Sequence, residues 1–289
     1  MKLIELFPQF HNWYRGSCFY NVVHPIVLFF TYFSYKCRAV IEFVKSLPRS
    51  FGYNDSKFAK IKNFQNRYKG KRCFIACTGP SLTIDDLEML KDEYVFGMNS
   101  IALIHDKTDW IPDFYGIQDF HVFEKIKESV LTTYNGIIFA PYGLKKRFKT
   151  PDNWVYWHMC GVYHLFEMIY TGEYFTKFSN DCYVRIYDGY SIVYSLLQLA
   201  MYMGFDEIYL LGADCSYLGK KQHFIETGIV DPQFKEATQK LYTSYNTAKK
   251  YAESHGIKIY NATRGGCLEI FPRVQLENII LKSQKNKMR

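Results

Sequence analysis

The chain has 289 residues, 48% of them hydrophobic and 22% charged, with a formal net charge of +8. That balance excludes a largely disordered chain and fits one large domain with an appendage. The eight cysteines (Cys18, Cys37, Cys73, Cys77, Cys160, Cys182, Cys215 and Cys267) form no C-x-x-C pair and no paired Cys/His spacing, which argues against a zinc site or redox motif.

Residues 1–50 read as an N-terminal helical segment, apolar and basic. Asn21 to Tyr35 is a mostly apolar run of fifteen residues, broken by His24 and Pro25 and followed by Lys36, Arg38, Lys45 and Arg49. About 20 apolar residues are needed to span a bilayer as a helix, so the expectation is an interfacial, membrane-associating helix rather than a span. A helix packed on the main domain is the competing reading. Residues 51–70, with Lys57, Lys60, Lys62, Arg67 and Lys69, read as a basic linker, and residues 276–289 as a basic tail. No nucleic-acid motif accompanies this charge, so the expected partner is an anionic membrane surface and not nucleic acid. No secretory signal pattern is present, and the expected place is the cytoplasm, at the inner face of the cell membrane.

From residue 71 to 275 short apolar strands alternate with helical stretches. Strands are expected at Arg72–Cys77, Tyr94–Met98, Phe114–Ile117, Gly136–Ala140, Glu207–Leu211 and Ile257–Tyr260. Helices are expected at Asp85–Lys91, Ser191–Met203 and Phe234–His255. This alternation predicts an α/β, Rossmann-like fold, a mostly parallel sheet with helices on both faces. The 25 Tyr and 24 Phe are expected chiefly as core filling, with a carbohydrate-stacking surface as the other reading.

The candidate site residues gather at the ends of these strands. Thr78-Gly79-Pro80-Ser81 follows the first strand, where an open parallel sheet places its ligand crevice. Glycine allows backbone to approach a phosphate, and Ser81 is placed to cap the next helix. An ordinary capped turn is the competing reading. Asn99, Gln118 and Asp119 end the next two strands, with turn formation and helix capping as their ordinary roles. Asp214, Tyr217 and His223 follow the strand Glu207–Leu211, and Asn261, Thr263 and Arg264 follow the last. There is no D-x-D metal clamp and no G-x-S-x-G or H-E-x-x-H hydrolase motif.

The G-P-S-L turn, G-M-N-S, G-F-D-E-I-Y-L-L-G-A-D and I-Y-N-A-T-R-G-G resemble the MptE-like domain family over roughly residues 70–275. That family is named for a 6-hydroxymethylpterin diphosphokinase. In scaffold it is similar to the flagellar motility accessory factors and to bacterial lipooligosaccharide sialyltransferases, which use CMP-sialic acid without a metal. The resemblance implies that Gly79, Pro80 and Ser81 meet the donor's nucleotide-phosphate part. It also implies that Asn99 and Ser191 contact the donor, that Asp214 matches the Asp of G-x-D, and that Tyr217 lies near the leaving phosphate. Gln239 stands where those sialyltransferases carry a histidine. His223 matches a His that MptE-like proteins show after G-x-D-x-x-Y.

The resulting expectation is a metal-independent glycosyltransferase that takes a nucleotide-sugar donor, CMP-sialic-acid-like, and a glycan or lipid-linked acceptor in surface glycan synthesis. His223 is its expected general base, with Asp214, Asp119 and Glu226 as competitors. No cofactor is expected. The alternatives are a pyrophosphokinase acting on a hydroxymethyl pterin, with Mg²⁺ held by Asp119 and Asp214, and a non-catalytic nucleotide-binding protein.

Overall fold

The computed structural model describes residues 20–132, 134, 136–165, 171–215, 224–225 and 234–287. Its centre is a seven-stranded sheet in which every pairing is parallel. The strands are β1 (Arg72–Ala76), β2 (Tyr94–Met98), β3 (Phe114–Gly116), β4 (Ile137–Pro141), β5 (Val155–Trp157), β8 (Glu207–Leu211) and β9 (Lys258–Asn261). Their order across the sheet is β5-β4-β3-β2-β1-β8-β9. Cys73 to Ala76 and Ile208 to Leu211 are buried without alternation, as strands covered on both faces must be. Two strands, β6 (Met159–Cys160) and β7 (Ile186–Tyr187), pair in a separate two-stranded parallel ribbon. Neither these nor β5 is foreshadowed by the sequence reading, because runs this short carry no periodicity.

The helices are α1 (Tyr20–Ser50), α2 (Ile84–Glu88), α3 (Phe120–Thr132), α4 (Tyr142–Phe148), α5 (Ile192–Tyr202), α6 (Phe234–Ser254) and α7 (Leu276–Lys287). Helix α5 is buried along its whole length and lies behind the sheet as its central support. The aromatic residues largely fill the interior: Phe74, Phe96, Phe114, Phe139, Phe205, Tyr115 and Trp157 are all fully buried.

Three boundaries differ from the sequence reading. Residues 276–287, read as part of a tail, form helix α7, with Leu276 buried and Ile279 and Ile280 packed against the core. Residues 51–70 are part of the core, because Phe58, Ile61 and Phe64 are buried in it and Tyr68 stacks on Phe205 at 4.9 Å. Lysines on the solvent side of that segment masked its apolar face in sequence. Helix α1 is a single 31-residue helix that continues through Pro25 and Pro48. Its second half docks along one stripe of Ala39, Glu42, Ser46 and Arg49, while Val22, Ile26, Phe29, Phe30 and Phe33 stay exposed. No helix among the described residues is long and apolar enough to cross a membrane.

Candidate active site

The chain builds β1, moves outward through β2 to β5, and then returns to lay β8 beside β1. The order therefore reverses between β1 and β8, and a doubly wound sheet opens its crevice at the carboxyl ends of such a pair. Two glycine turns meet there. Gly79 N–H donates to the Gly212 carbonyl at 2.9 Å. A Cβ on Gly79 would overlap both that carbonyl and the Asp214 carboxylate. Gly212 has φ +62°, and a Cβ on it would sit 2.9 Å from the Cys77 carbonyl. Glycine is thus required by close approach at the first position and by conformation at the second.

Ser81 does not cap the following helix. Thr83 does, in a reciprocal capping box with Asp86. Ser81 instead donates its hydroxyl to Asp214 Oδ2 at 2.8 Å, locking the two turns together. Ser191 caps α5 by accepting from Val193 N–H. Thr78, Gly79, Ser191, Ile192 and Gly212 to Cys215 surround a niche of about 120 Å³. Asn99 borders it with φ 45°, and its amide oxygen is buried without a hydrogen-bond partner. An orphaned buried acceptor costs roughly 1–3 kcal/mol, a cost removed when a ligand donor arrives. Asn99, Tyr190 and Cys215 all hold positive φ and all line this region. Backbone held this way clusters where a fold over-determines a functional site.

The niche shares Thr78, Asn99, Ser191 and Ile192 with a cavity of about 1040 Å³. Gln118 and Asp119, from the end of β3, line that cavity. Asp119 Oδ1 accepts from the His121 and Val122 N–H groups and so starts α3. Gln118 bridges Ser195 to Asp188, donating to Asp188 Oδ1 at 3.0 Å.

Asp188 is a cavity-lining carboxylate that the sequence reading missed. Buried Gln198 holds both the N–H and the carbonyl of Tyr187, and the Tyr163 hydroxyl donates to the Asp188 carbonyl at 2.5 Å. The carboxylate is thereby fixed at the cavity wall with its side chain 23% exposed. Burial pushes its pKa up to about 6, although bonds from Gln118 and from the Gly189 and Tyr190 N–H groups oppose the rise. His164 lies 3.8 Å away, but burial holds it down to about 4, so at neutral pH it is not a cation. His158, also on the cavity, is held to about 4 by burial while bonded to the Glu42 carbonyl. The only local sequence signal for Asp188 is the D-G-Y-S run before a helix, which reads as an ordinary turn.

The loop after β9 braces the site from behind. Asn261 is fully buried, donating to the Leu268 carbonyl and accepting from Thr263 N–H. Thr263 accepts from Ala213 N–H, and Arg264 pairs with Asp86 and Glu277. These three residues, expected at the substrate, are engaged with the protein itself. Pro80 stiffens the first turn. Tyr217, His223 and Glu226 lie outside the described residues. Phe224, which follows His223 in the chain, donates its N–H to the Thr78 carbonyl at 2.7 Å.

No three His, Cys, Asp or Glu side chains gather among the described residues. Asp119 is engaged with its helix and Asp214 with Ser81.

The fold and site define a doubly wound α/β protein with a ligand crevice at its switch point. A family model described as 6-hydroxymethylpterin diphosphokinase MptE-like matches residues 49–220, more than half of the chain, and the chain belongs to that MptE-like family. No curated protein matches it. Among solved structures it is similar to the MAf glycosyltransferase from Magnetospirillum magneticum AMB-1, at 13% identity and a TM-score of 0.48, covering 80% of this chain and 40% of that one. The chain thus spans less than half the length of that protein.

Proposed function

We propose that this protein is a transferase that takes a nucleotide-activated donor, with glycosyl transfer from a nucleotide-sugar as the reaction. The observation that carries the reading is the pairing of compartments, a small glycine-walled niche of about 120 Å³ opening on a cavity of about 1040 Å³. A nucleotide alone needs no such second chamber, whereas a transferase needs room for both its activated donor and its acceptor. In this reading the ribose and phosphate lie between Thr78–Ser81 and the start of α5, where backbone N–H groups favour an anion. Asp214 repels a close phosphate and suits a ribose hydroxyl. Asn99 Oδ1 takes a donor group of the base or sugar.

The reaction forms a bond from the acceptor oxygen to the transferred carbon and breaks the bond from that carbon to the phosphate oxygen. The phosphate leaves with the electron pair, stabilised by N–H groups at α5 and by Tyr217. His223 is proposed as the base for the acceptor proton, and Asp188 as the second acid–base group of the cavity. CMP-linked donors, surface-glycan acceptors and placement at the inner membrane face belong to the same proposal. A pterin diphosphokinase is the second reading, favoured by the description of the family.

The test is thermal stabilisation of the full chain by CMP-, UDP-, GDP- and adenine nucleotides, each with and without Mg²⁺. A ligand at a hundredfold excess over Kd adds about 2.7 kcal/mol. Stabilisation by a pyrimidine nucleotide independent of Mg²⁺ is expected, and an ATP response that requires Mg²⁺ together with a pterin reverses the order. With the donor known, His223→Ala is expected to lower turnover about 10²–10⁴-fold. A loss below tenfold moves the base to Asp188.

A further inference from the structure

The wall of the large cavity opposite the glycine turns belongs to the N-terminal helix. Glu42 and Lys45 of α1 line it, together with Phe58, Lys146, Trp157 and His158. Glu42 is fixed in that wall by accepting from the Gly161 and Val162 N–H groups at 2.9 and 3.0 Å. Trp157 is fully buried on the cavity, and its indole N–H has no hydrogen-bond partner. That is an unanswered donor on β5, the edge strand of the sheet. Lys45 and Lys146 are both exposed, on two different helices that border the same opening.

The outer surface of α1 beside this wall is apolar. Val40, Ile41 and Val44 are 53%, 50% and 51% exposed and flank Glu42 and Lys45 in the chain. The exposed run continues through Phe33, Phe30 and Phe29 to Val22. At 1.5 Å per residue, Phe33 stands about 18 Å along the axis from Lys45. The helix is apolar nearly all round over residues 22–30 and carries Lys36, Arg38 and Lys45 beyond them. A partner protein would be met by one stripe, whereas a helix exposed and apolar on every side, with basic residues at one end, matches the edge of an anionic bilayer.

Resting on the transferase reading above, we propose that the α1 end of the cavity is the acceptor subsite, and that the acceptor is an amphiphile with an anionic head. Its head enters between Lys45 and Lys146, and its apolar chain stays in the bilayer on which the exposed face of α1 rests. The same helix then performs two tasks, membrane attachment and construction of the acceptor wall.

The experiment uses the full chain and two ligands read separately. Dodecyl phosphate, below its micelle concentration, is the probe for the subsite, inorganic phosphate is its control, and the stabilising nucleotide is the probe for the donor niche. Dodecyl phosphate is expected to raise Tm where inorganic phosphate does not, and the shift is expected to vanish in the Lys45→Ala/Lys146→Ala double variant while the nucleotide shift remains. Co-sedimentation with phosphatidylcholine vesicles containing phosphatidylglycerol is expected to fall at least tenfold in Phe29→Glu/Phe30→Glu and to weaken with salt. Equal dodecyl phosphate shifts in wild type and double-lysine variant overturn the subsite. Binding of Phe29→Glu/Phe30→Glu to vesicles at the wild-type level overturns the bilayer contact. Loss of the nucleotide shift alone strikes the transferase reading and leaves the subsite measurement standing.

Discussion

In the proposed site, Asp188 supplies a carboxylate with a raised pKa and Gly79 a close approach of two turns. The folded pKa of Asp188 is about 6 against an ordinary 3.8, because burial disfavours its charge. The native state therefore holds this proton more tightly than the unfolded chain. The stability this supplies is full below about pH 4 and is lost as pH rises through 6, a change of roughly 3 kcal/mol. Asp188→Asn mimics the protonated form. Its stability relative to wild type is expected to be higher at pH 8 than at pH 4 by up to that amount, and hydrogen bonds lost at both pH values cancel in the comparison. Turnover of the variant is expected to lose the acidic limb near pH 6. Urea unfolding at the two pH values decides it, and a flat difference removes the buried-charge account. At Gly79 any side chain collides with the Gly212 carbonyl and Asp214, so the ends of β1 and β8 must separate. Gly79→Ala is expected to cost about 1–3 kcal/mol as well as nucleotide affinity. Ser81→Ala, which removes only the bond to Asp214, is expected to leave the fold intact and to weaken nucleotide binding alone. Melting curves with and without nucleotide distinguish the two variants.

The elements that frame the site extend beyond the stretch in which its motifs lie. Phe58, Ile61 and Phe64 bury in the main core, each contributing roughly 1.5–3 kcal/mol, against a total near 5–15 kcal/mol for a domain. Arg49 is buried, donating to the Tyr183 and Val184 carbonyls and pairing with Asp55. A chain starting at residue 71 loses all of these contacts. It is expected to lack a cooperative thermal transition, and a sharp transition near the full chain's Tm would show that the segment is dispensable. For the same reason, removing residues 1–50 does not by itself test the proposed membrane attachment. It also strips Glu42 from the Gly161 and Val162 N–H groups. Substitutions at the exposed positions of α1 separate the two effects.

Across the whole molecule, the sequence by itself determined the alternation of strands and helices, the parallel sheet and the two glycine turns. Those properties are local: an unbroken apolar run such as Cys73 to Ala76, or glycine beside a strand end, is a constraint that few residues satisfy. Local signals and the family resemblance together made Thr78 to Ser81, Asn99, Ser191 and Asp214 legible as a set; Thr78, Gly79, Asn99, Ser191 and Asp214 line one niche, and Ser81 is bonded to Asp214 beside it. Tertiary structure alone decided which of two roles each polar side chain took. Asn261 and Thr263 turned inward and Arg264 formed surface ion pairs, because their partners Leu268, Ala213 and Asp86 come from other turns and elements. Asp188 became a cavity carboxylate because Tyr163 holds its carbonyl and Gln198, from the following helix, holds the backbone of Tyr187 beside it. The raised pKa of Asp188 and the place of Glu42 in the cavity wall depend on burial between elements brought together by folding, and burial of that kind leaves no period in a sequence.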